Sequence, residues 1–253
     1  MSGDIYARVQ GKGPATVVLL HGFGGHHDVW YDIQPALAAG ARVLAYDLPG
    51  HGRSLAYSGA GPAHVAAKAI LADLAARGIS RSHFVGHSMG GAIAVLAALR
   101  APETVASLTL LAPGGFGPEI NFNLLRRYAA AASADDLRAC MDEMSAPGFP
   151  MPTKYVAGLM ATRAVAGQRD KLIEIAGLIT KGDRQGEIPR DSLATLAMPT
   201  RILWGTEDTV LPYAQTTGLP GNISLETLPG KGHMLLEEAT EQVIRAIRRA
   251  VRA

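Results

Sequence analysis

The octapeptide Phe84-Val85-Gly86-His87-Ser88-Met89-Gly90-Gly91 constrains this chain more than any other stretch. An apolar pair ends a buried strand. Ala92, Ile93, Val95, Leu96 and Leu99 then recur at helical spacing until Pro102 stops the pattern. A chain that passes so abruptly from strand to helix forces Ser88 into a strained backbone conformation, with nearly side-chain-free neighbours, and Gly86 and Gly90 meet that need. The G-x-S-x-G form predicts a serine hydroxyl raised at the sheet edge, over a helix N-terminus whose free N–H groups and dipole favour a developing negative charge. The pattern alone is common in a chain with 29 glycines, so the strand-turn-helix context carries the argument.

On either side of this elbow, strands and helices alternate. Ile5 to Gln10, Thr16 to Leu20, Ala41 to Tyr46 and Val105 to Leu111 read as strands; Trp30 to Ala39 and Ala63 to Gly78 read as helices. Val17-Val18-Leu19-Leu20 is apolar on both faces, as a strand covered by helices on each side must be. The alternation predicts an α/β fold with a mainly parallel sheet. It lapses from about Phe116 to Ala197, where only helical segments are expected: Asn121 to Ala132, Asp135 to Met144, Lys154 to Ala166 and Asp170 to Thr180. It resumes with Thr200 to Trp204, Ser224 to Leu228 and a last helix from about Glu238 to Val251. The expected organisation is a core in two parts, 1–115 and 198–253, with a helical cap, 116–197, inserted between them.

A serine hydroxyl at neutral pH needs a base, and the base an orienting acid. Gly205-Thr206-Glu207-Asp208 follows the strand ending at Trp204, and Gly230-Lys231-Gly232-His233 follows the one ending at Leu228. Ser88, Asp208 and His233 are therefore the candidate catalytic residues. Asp208 is preferred over Glu207 because it sits deeper in its turn; a turn carboxylate bonding its own backbone is the alternative. The glycines before His233 point to a flexible, exposed loop. The backbone N–H groups of Phe23, in the glycine-rich loop His21-Gly22-Phe23-Gly24-Gly25, and of Met89 are candidates for an oxyanion hole. His21, at a strand end, suits a loop-orienting hydrogen bond, and His87 a structural or pocket-lining role.

The insert is apolar and rich in methionine, which suits an adaptable hydrophobic pocket. Phe116, Met141, Met144, Tyr155, Met160 and Val210 are its candidate lining residues, with packing onto the core as the alternative. Arg126, Arg127 and Arg163 are candidates for meeting a substrate carboxylate. Cys140 stands in an apolar helical pattern and reads as a buried packing residue. His26 and His27 have no acidic or cysteine partner at suitable spacing, so no metal is expected. Neither a dinucleotide fingerprint nor a phosphate-binding lysine motif is present, and no cofactor is expected.

The 253 residues are 48% hydrophobic and 18% charged, with 24 bases against 22 acids and no long single-sign block, which gives no argument for nucleic acid. The arginines of the last helix, Arg245, Arg248, Arg249 and Arg252, read as its solvated face. One cysteine excludes an internal disulfide, and no leader or membrane span is visible, so the expected location is the cytoplasm.

Taken together, the His21-to-Gly24 loop, Asp47-Leu48-Pro49-Gly50-His51-Gly52-Arg53-Ser54, the elbow, Gly205-to-Pro212 and Gly230-to-His233 resemble the α/β-hydrolase superfamily over nearly the whole chain. The resemblance implies that superfamily's fold, with a sheet of seven or eight strands, one fewer than usual if the short N-terminus omits a strand. Leu111-Ala112-Pro113-Gly114-Gly115-Phe116-Gly117-Pro118-Glu119-Ile120-Asn121 and Gly232-His233-Met234 followed by Glu237-Glu238-Ala239 are similar to a narrower group: the hydrolase domain at the C-terminal end of the acyltransferase component of acetoin dehydrogenase complexes. Such components carry a lipoyl domain; this chain starts at its first strand, so a stand-alone hydrolase is expected. The expected substrate is a small-molecule ester, thioester or lactone of a small to medium, mainly apolar acyl group. Acyl transfer, lactone or carbon–carbon bond hydrolysis, and a non-catalytic ligand-binding module on the same fold are the other readings.

Overall fold

Strand burial separates the middle of the sheet from its edges. The computed structural model describes residues 4–252; Met1 to Gly3, part of the stretch read for a leader, and Ala253 lie outside the described residues. The strands are β1 (Ala7–Gln10), β2 (Ala15–Leu20), β3 (Ala41–Tyr46), β4 (Ser82–His87), β5 (Val105–Leu111), β6 (Thr180–Lys181), β7 (Arg184–Gln185), β8 (Thr200–Gly205) and β9 (Ile223–Leu228). Val17 to Leu20 of β2 and Val43 to Tyr46 of β3 are wholly buried, whereas β9 turns Ser224, Leu225 and Thr227 outward. Continuous apolar runs thus mark strands covered on both faces, and mixed ones mark the edge. Each fully buried Val or Leu contributes about 1.5–3 kcal/mol.

Among the described residues the main sheet has seven strands in the order β1-β3-β2-β4-β5-β8-β9. β1 runs antiparallel to β3, and the other neighbours are parallel. The helices of the core are α1 (Ile33–Ala38), α2 (Ala63–Ala76), α3 (Met89–Arg100) and, at the end of the chain, α10 (Thr240–Arg252). α1 packs with α10 and α2 with α3, covering opposite faces. Val243, Ile244, Ala246 and Ile247 bury one side of α10, leaving Arg245, Arg248, Arg249 and Arg252 exposed, as their spacing predicts. From β2 the chain crosses to β3 on one side and then to β4 on the other. That reversal opens a crevice at the carboxyl ends of β2 and β4, where ligands bind in sheets of this kind.

The segment between β5 and β8 carries α4 (Phe122–Ala130), α5 (Ala134–Met144), α6 (Thr153–Arg163), α7 (Gln168–Ile179) and α8 (Arg190–Ala194). Asn121 caps α4 by accepting the Leu124 amide, and Ser133 caps α5 by accepting that of Asp136. The expectation that this segment is purely helical needs correction. β6 and β7 form a hairpin within it, and Glu119 bridges to Arg184. Two polar residues per strand leave no hydrophobic alternation to detect; the turn pair Gly182-Asp183 is the only signal. The last helix, expected from about Glu238 to Val251, is α10; a short α9 (Leu235–Glu238) precedes it, set apart by Ala239 at φ −139°. No helix among the described residues is long and apolar enough to cross a membrane.

Candidate active site

Ser88 joins β4 to α3 at φ 52° and ψ −117°, a conformation that costs of order 1–3 kcal/mol in a residue other than glycine. Close packing fixes it there. A Cβ at Gly86 would overlap the Gly90 carbonyl, and one at Gly90 the Leu20 carbonyl. The Ser88 amide donates to Leu111 O, and its carbonyl accepts the amides of Gly91 and Gly114, both at 2.9 Å. Its side chain is left on the crevice side, at the N-terminus of α3.

Asp208 and His233 meet at the ends of β8 and β9, which lie side by side with Gly205 opposite Leu228. His233 Nδ1–H donates to Asp208 Oδ2 at 2.8 Å. The same oxygen accepts Trp204 Nε1–H at 3.1 Å, while Oδ1 accepts the amides of Val210 and Leu211 at 2.9 and 2.8 Å. This carboxylate divides its oxygens: Oδ1 ties its own turn and Oδ2 faces the histidine. Glu207 is exposed. The Trp204 donor went unread in the sequence, although a tryptophan four residues before the acid was the available signal.

His233 is buried, at 4% exposure, which corrects the expectation of an exposed, flexible loop. Its N–H donates to Met144 O of the insert at 2.8 Å, so the glycines before it permit close packing rather than motion. The imidazole and Ser88 line a small cavity of about 30 Å³ together with Phe23, His87, Leu125, Tyr128, Met144 and Tyr155. Ser88 also opens onto a larger cavity of about 380 Å³ between α3 and the hairpin, lined by Met89, Leu96, Ile120, Leu178, Ile188 and Val210 among others. Of the candidate lining residues, Met144, Tyr155 and Val210 reach these cavities. Phe116, Met141 and Met160 do not. Phe116 stacks edge-on to Trp204 with ring centroids 6.3 Å apart, Met141 is wholly buried in the core, and Met160 packs against its margin. Helical periodicity marks a buried face but not which buried residues border a void.

The first loop also borders both cavities, through Phe23. Among the described residues, the amides of Phe23 and Met89 are committed to no protein acceptor. Two buried histidines hold this loop to the one after β3. His21 Nδ1–H donates to Gly22 O at 2.7 Å while its Nε2 accepts the Leu48 amide at 3.0 Å. His51 Nε2 accepts the Gly24 amide at 3.1 Å, and its Nδ1–H donates to Pro49 O. Burial keeps His21 neutral and pushes His51 down to about 4. Burial, with the neighbouring His233, pushes His87 down to about 3; its Nε2–H donates to His233 O at 2.9 Å.

The metal expectation also needs a correction of detail. Asp47, twenty residues on, brings a carboxylate to His26 and His27, with donor atoms within 4.8 Å of one another. Asp47 Oδ1 accepts both the amide and Nδ1–H of His27, and Oδ2 the Arg53 amide. Burial pushes this carboxyl up, but the His27 and backbone donors outweigh it and leave it at about 2. These contacts hold the loop through hydrogen bonds. None of the three candidate arginines reaches the cavities. Arg127 pairs with Glu143, Arg126 lies over Phe122, and Arg163 is buried over the Tyr128 ring with its guanidinium near the Gly24 and Tyr128 carbonyls.

Residues 17–246 match the Alpha/beta hydrolase family, and the chain belongs to it. It is 36% identical over 233 residues to the dihydrolipoyllysine-residue acetyltransferase component of the acetoin cleaving system of Pseudomonas putida, covering 92% of this chain and 62% of that one. A 2-hydroxy-6-oxononadienedioate/2-hydroxy-6-oxononatrienedioate hydrolase of a Pseudomonas species is 28% identical, covering 84% of this chain and 78% of that one. A meta-cleavage product hydrolase from Pseudomonas fluorescens superposes with a TM-score of 0.86 at 21% identity, over 97% of this chain and 93% of that one, and shows the shared fold.

Proposed function

We propose that the protein is a serine hydrolase that cleaves an ester or thioester of a small to medium, mainly apolar acyl group through an acyl-serine intermediate. His233 takes the Ser88 proton as the hydroxyl attacks the carbonyl carbon, and Asp208 stabilises the imidazolium. The amides of Phe23 and Met89 hold the oxyanion of the tetrahedral intermediate. His233 then protonates the leaving alkoxide or thiolate, and water repeats the sequence to free Ser88. No metal or cofactor enters these steps.

The observation that carries the reading is the His233–Asp208 hydrogen bond, with His233 and the strained Ser88 lining the same small cavity. The 380 Å³ cavity, mostly apolar, supports an acyl group of modest size. Likeness to the acetyltransferase component favours a second reading, in which a thiol acceptor replaces water in deacylation. Carbon–carbon bond hydrolysis of a carboxylate-bearing substrate has less support, because Arg126, Arg127 and Arg163 are engaged elsewhere and only the exposed Lys181 brings a lysine or arginine to the cavity lining among the described residues.

Ser88→Ala tests the central assignment: turnover of p-nitrophenyl esters and covalent labelling by a fluorophosphonate probe should both vanish. Labelling that persists refutes it. A burst of labelling in the wild type without turnover on any ester, thioester or lactone would instead identify a binding module. Product analysis with a dithiol present separates hydrolysis from transfer.

A further inference from the structure

The C-terminal end of α5 and the loop bearing His233 are built as one piece. A helix end leaves carbonyls without partners inside the helix. At α5, two of them are taken by groups beside the proposed acid and base: Thr209 Oγ1–H donates to Glu143 O at 2.6 Å, and His233 N–H to Met144 O at 2.8 Å. The buried carboxylate of Glu238 completes the joint. Its Oε1 accepts the Met234 amide at 3.0 Å; its Oε2 accepts the Gly232 amide at 2.8 Å and the Ala146 amide at 3.0 Å.

Glu238 therefore grips the residues immediately before and after His233, and with the same oxygen the chain just past α5. Gly232 permits this approach, since a Cβ there would stand 2.6 Å from Ala146 N and 2.8 Å from Met144 O. No cation lies within ion-pairing distance of Glu238 among the described residues, and its contacts are backbone amides, so the carboxylate serves the loop. We propose that Glu238 is a positioning residue for His233, fixing the base and fastening it to the insert so that the imidazole is aligned only while α5 is seated. This rests on the reading of His233 as the general base.

Two variants test it, with rates expressed per site titrated to completion by a fluorophosphonate. Glu238→Gln puts an amide N–H₂ where a backbone donor needs an acceptor. It should lower kcat and the labelling rate by about 10- to 100-fold, the size expected of a misplaced catalytic group, with KM within about two-fold. Ala146→Pro removes the N–H on the insert side and sets its Cδ against Glu238 Oε2, so the joint opens there. Ser145 is already extended at φ −91° and ψ 166°, as a residue before proline must be. This variant should lower kcat by a smaller factor, and that factor should disappear in the Glu238→Gln background.

An unchanged kcat per titrated site in folded Glu238→Gln, or fully additive effects, overturns the proposal. If Glu238→Gln does not fold, Ala146→Pro alone decides, and an unchanged kcat overturns it. His233→Ala separates the two levels: turnover that survives there rejects the base assignment itself, whereas its loss beside a normal Glu238→Gln rejects only the positioning role.

Discussion

The two walls of the large cavity and its annex are made differently. On the Asp208–His233 side, the insert meets the sheet through backbone hydrogen bonds and the buried Glu238 carboxylate. On the other side, α7 and the β6–β7 hairpin present Leu178, Ile179 and Ile188 to the cavity, and Ile173 and Leu178 stay about half exposed. That wall is pinned by two backbone bonds, Gln185 N–H to Pro118 O at 2.9 Å and Ile188 N–H to Gly115 O at 2.8 Å, and by one side chain. Gln185 Oε1 accepts the Gly115 amide at 3.1 Å, and its Nε2–H donates to Gly117 O at 2.8 Å. The insert is thus not a uniform lid. On one wall directional bonds reach the Asp208–His233 pair itself, whereas on the other Leu178, Ile179 and Ile188 face the cavity.

Substitutions can break that contrast at either wall. His233→Ala should cost at least about 10³-fold in kcat with little change in thermal midpoint, measured by steady-state kinetics beside a melt. Acid should attack the buried histidines that hold the loops around the site. His51 and His87 are held at about 4 and about 3 in the fold, against 6.5 when exposed. As pH falls from 6.5 towards 4, protons bind the unfolded chain and not the native one. Stability therefore drops across that window, by up to about 1.4 kcal/mol per pH unit per histidine, and is flat above it. A pH series of urea melts checks the slope, which His87→Gln should make shallower.

The adaptable wall should respond more gently. Gln185→Ala should release the hairpin by roughly 1–3 kcal/mol, seen as faster amide exchange over residues 180–188. Acyl-length preference should shift several-fold while fluorophosphonate labelling stays within about two-fold. Lys181 borders the cavity, is exposed and makes no ion pair among the described residues. Lys181→Ala should raise KM no more than about five-fold for acyl groups ending in a carboxylate and leave neutral esters unchanged, as suits an exposed charge. A larger effect on neutral esters would mean that this wall is more rigid than its contacts indicate.

What was legible from the residues follows the same division. β3 and β5 lie where their apolar runs place them, because a strand buried on both faces leaves a continuous signature. The places of Ser88, Asp208 and His233 beyond strand ends were readable because each follows a strand at a turn of recognisable composition. Glu238 was visible only as part of a resemblance, since a carboxylate serving backbone amides has no distinctive spacing. The β6–β7 hairpin was missed for lack of side-chain alternation. Phe116 and Met141 were misplaced because apolar character announces burial and not proximity to a void. Trp204 was read as the end of a strand and not as a donor, a role that only its contact with Asp208 reveals.

The amides of Phe23, in the loop after β2, and of Met89, the first residue of α3 after β4, follow adjacent strands whose register sets Leu20 beside Gly86. Their separation is consequently governed by the ladder spacing of a sheet, a dimension that side-chain replacement scarcely alters. Under the proposed mechanism, residues facing the acyl chain can then diverge widely without detuning the electrostatics at the reacting carbonyl. Selectivity in this molecule is in that sense a replaceable part, mounted on a frame whose tolerances belong to the peptide backbone.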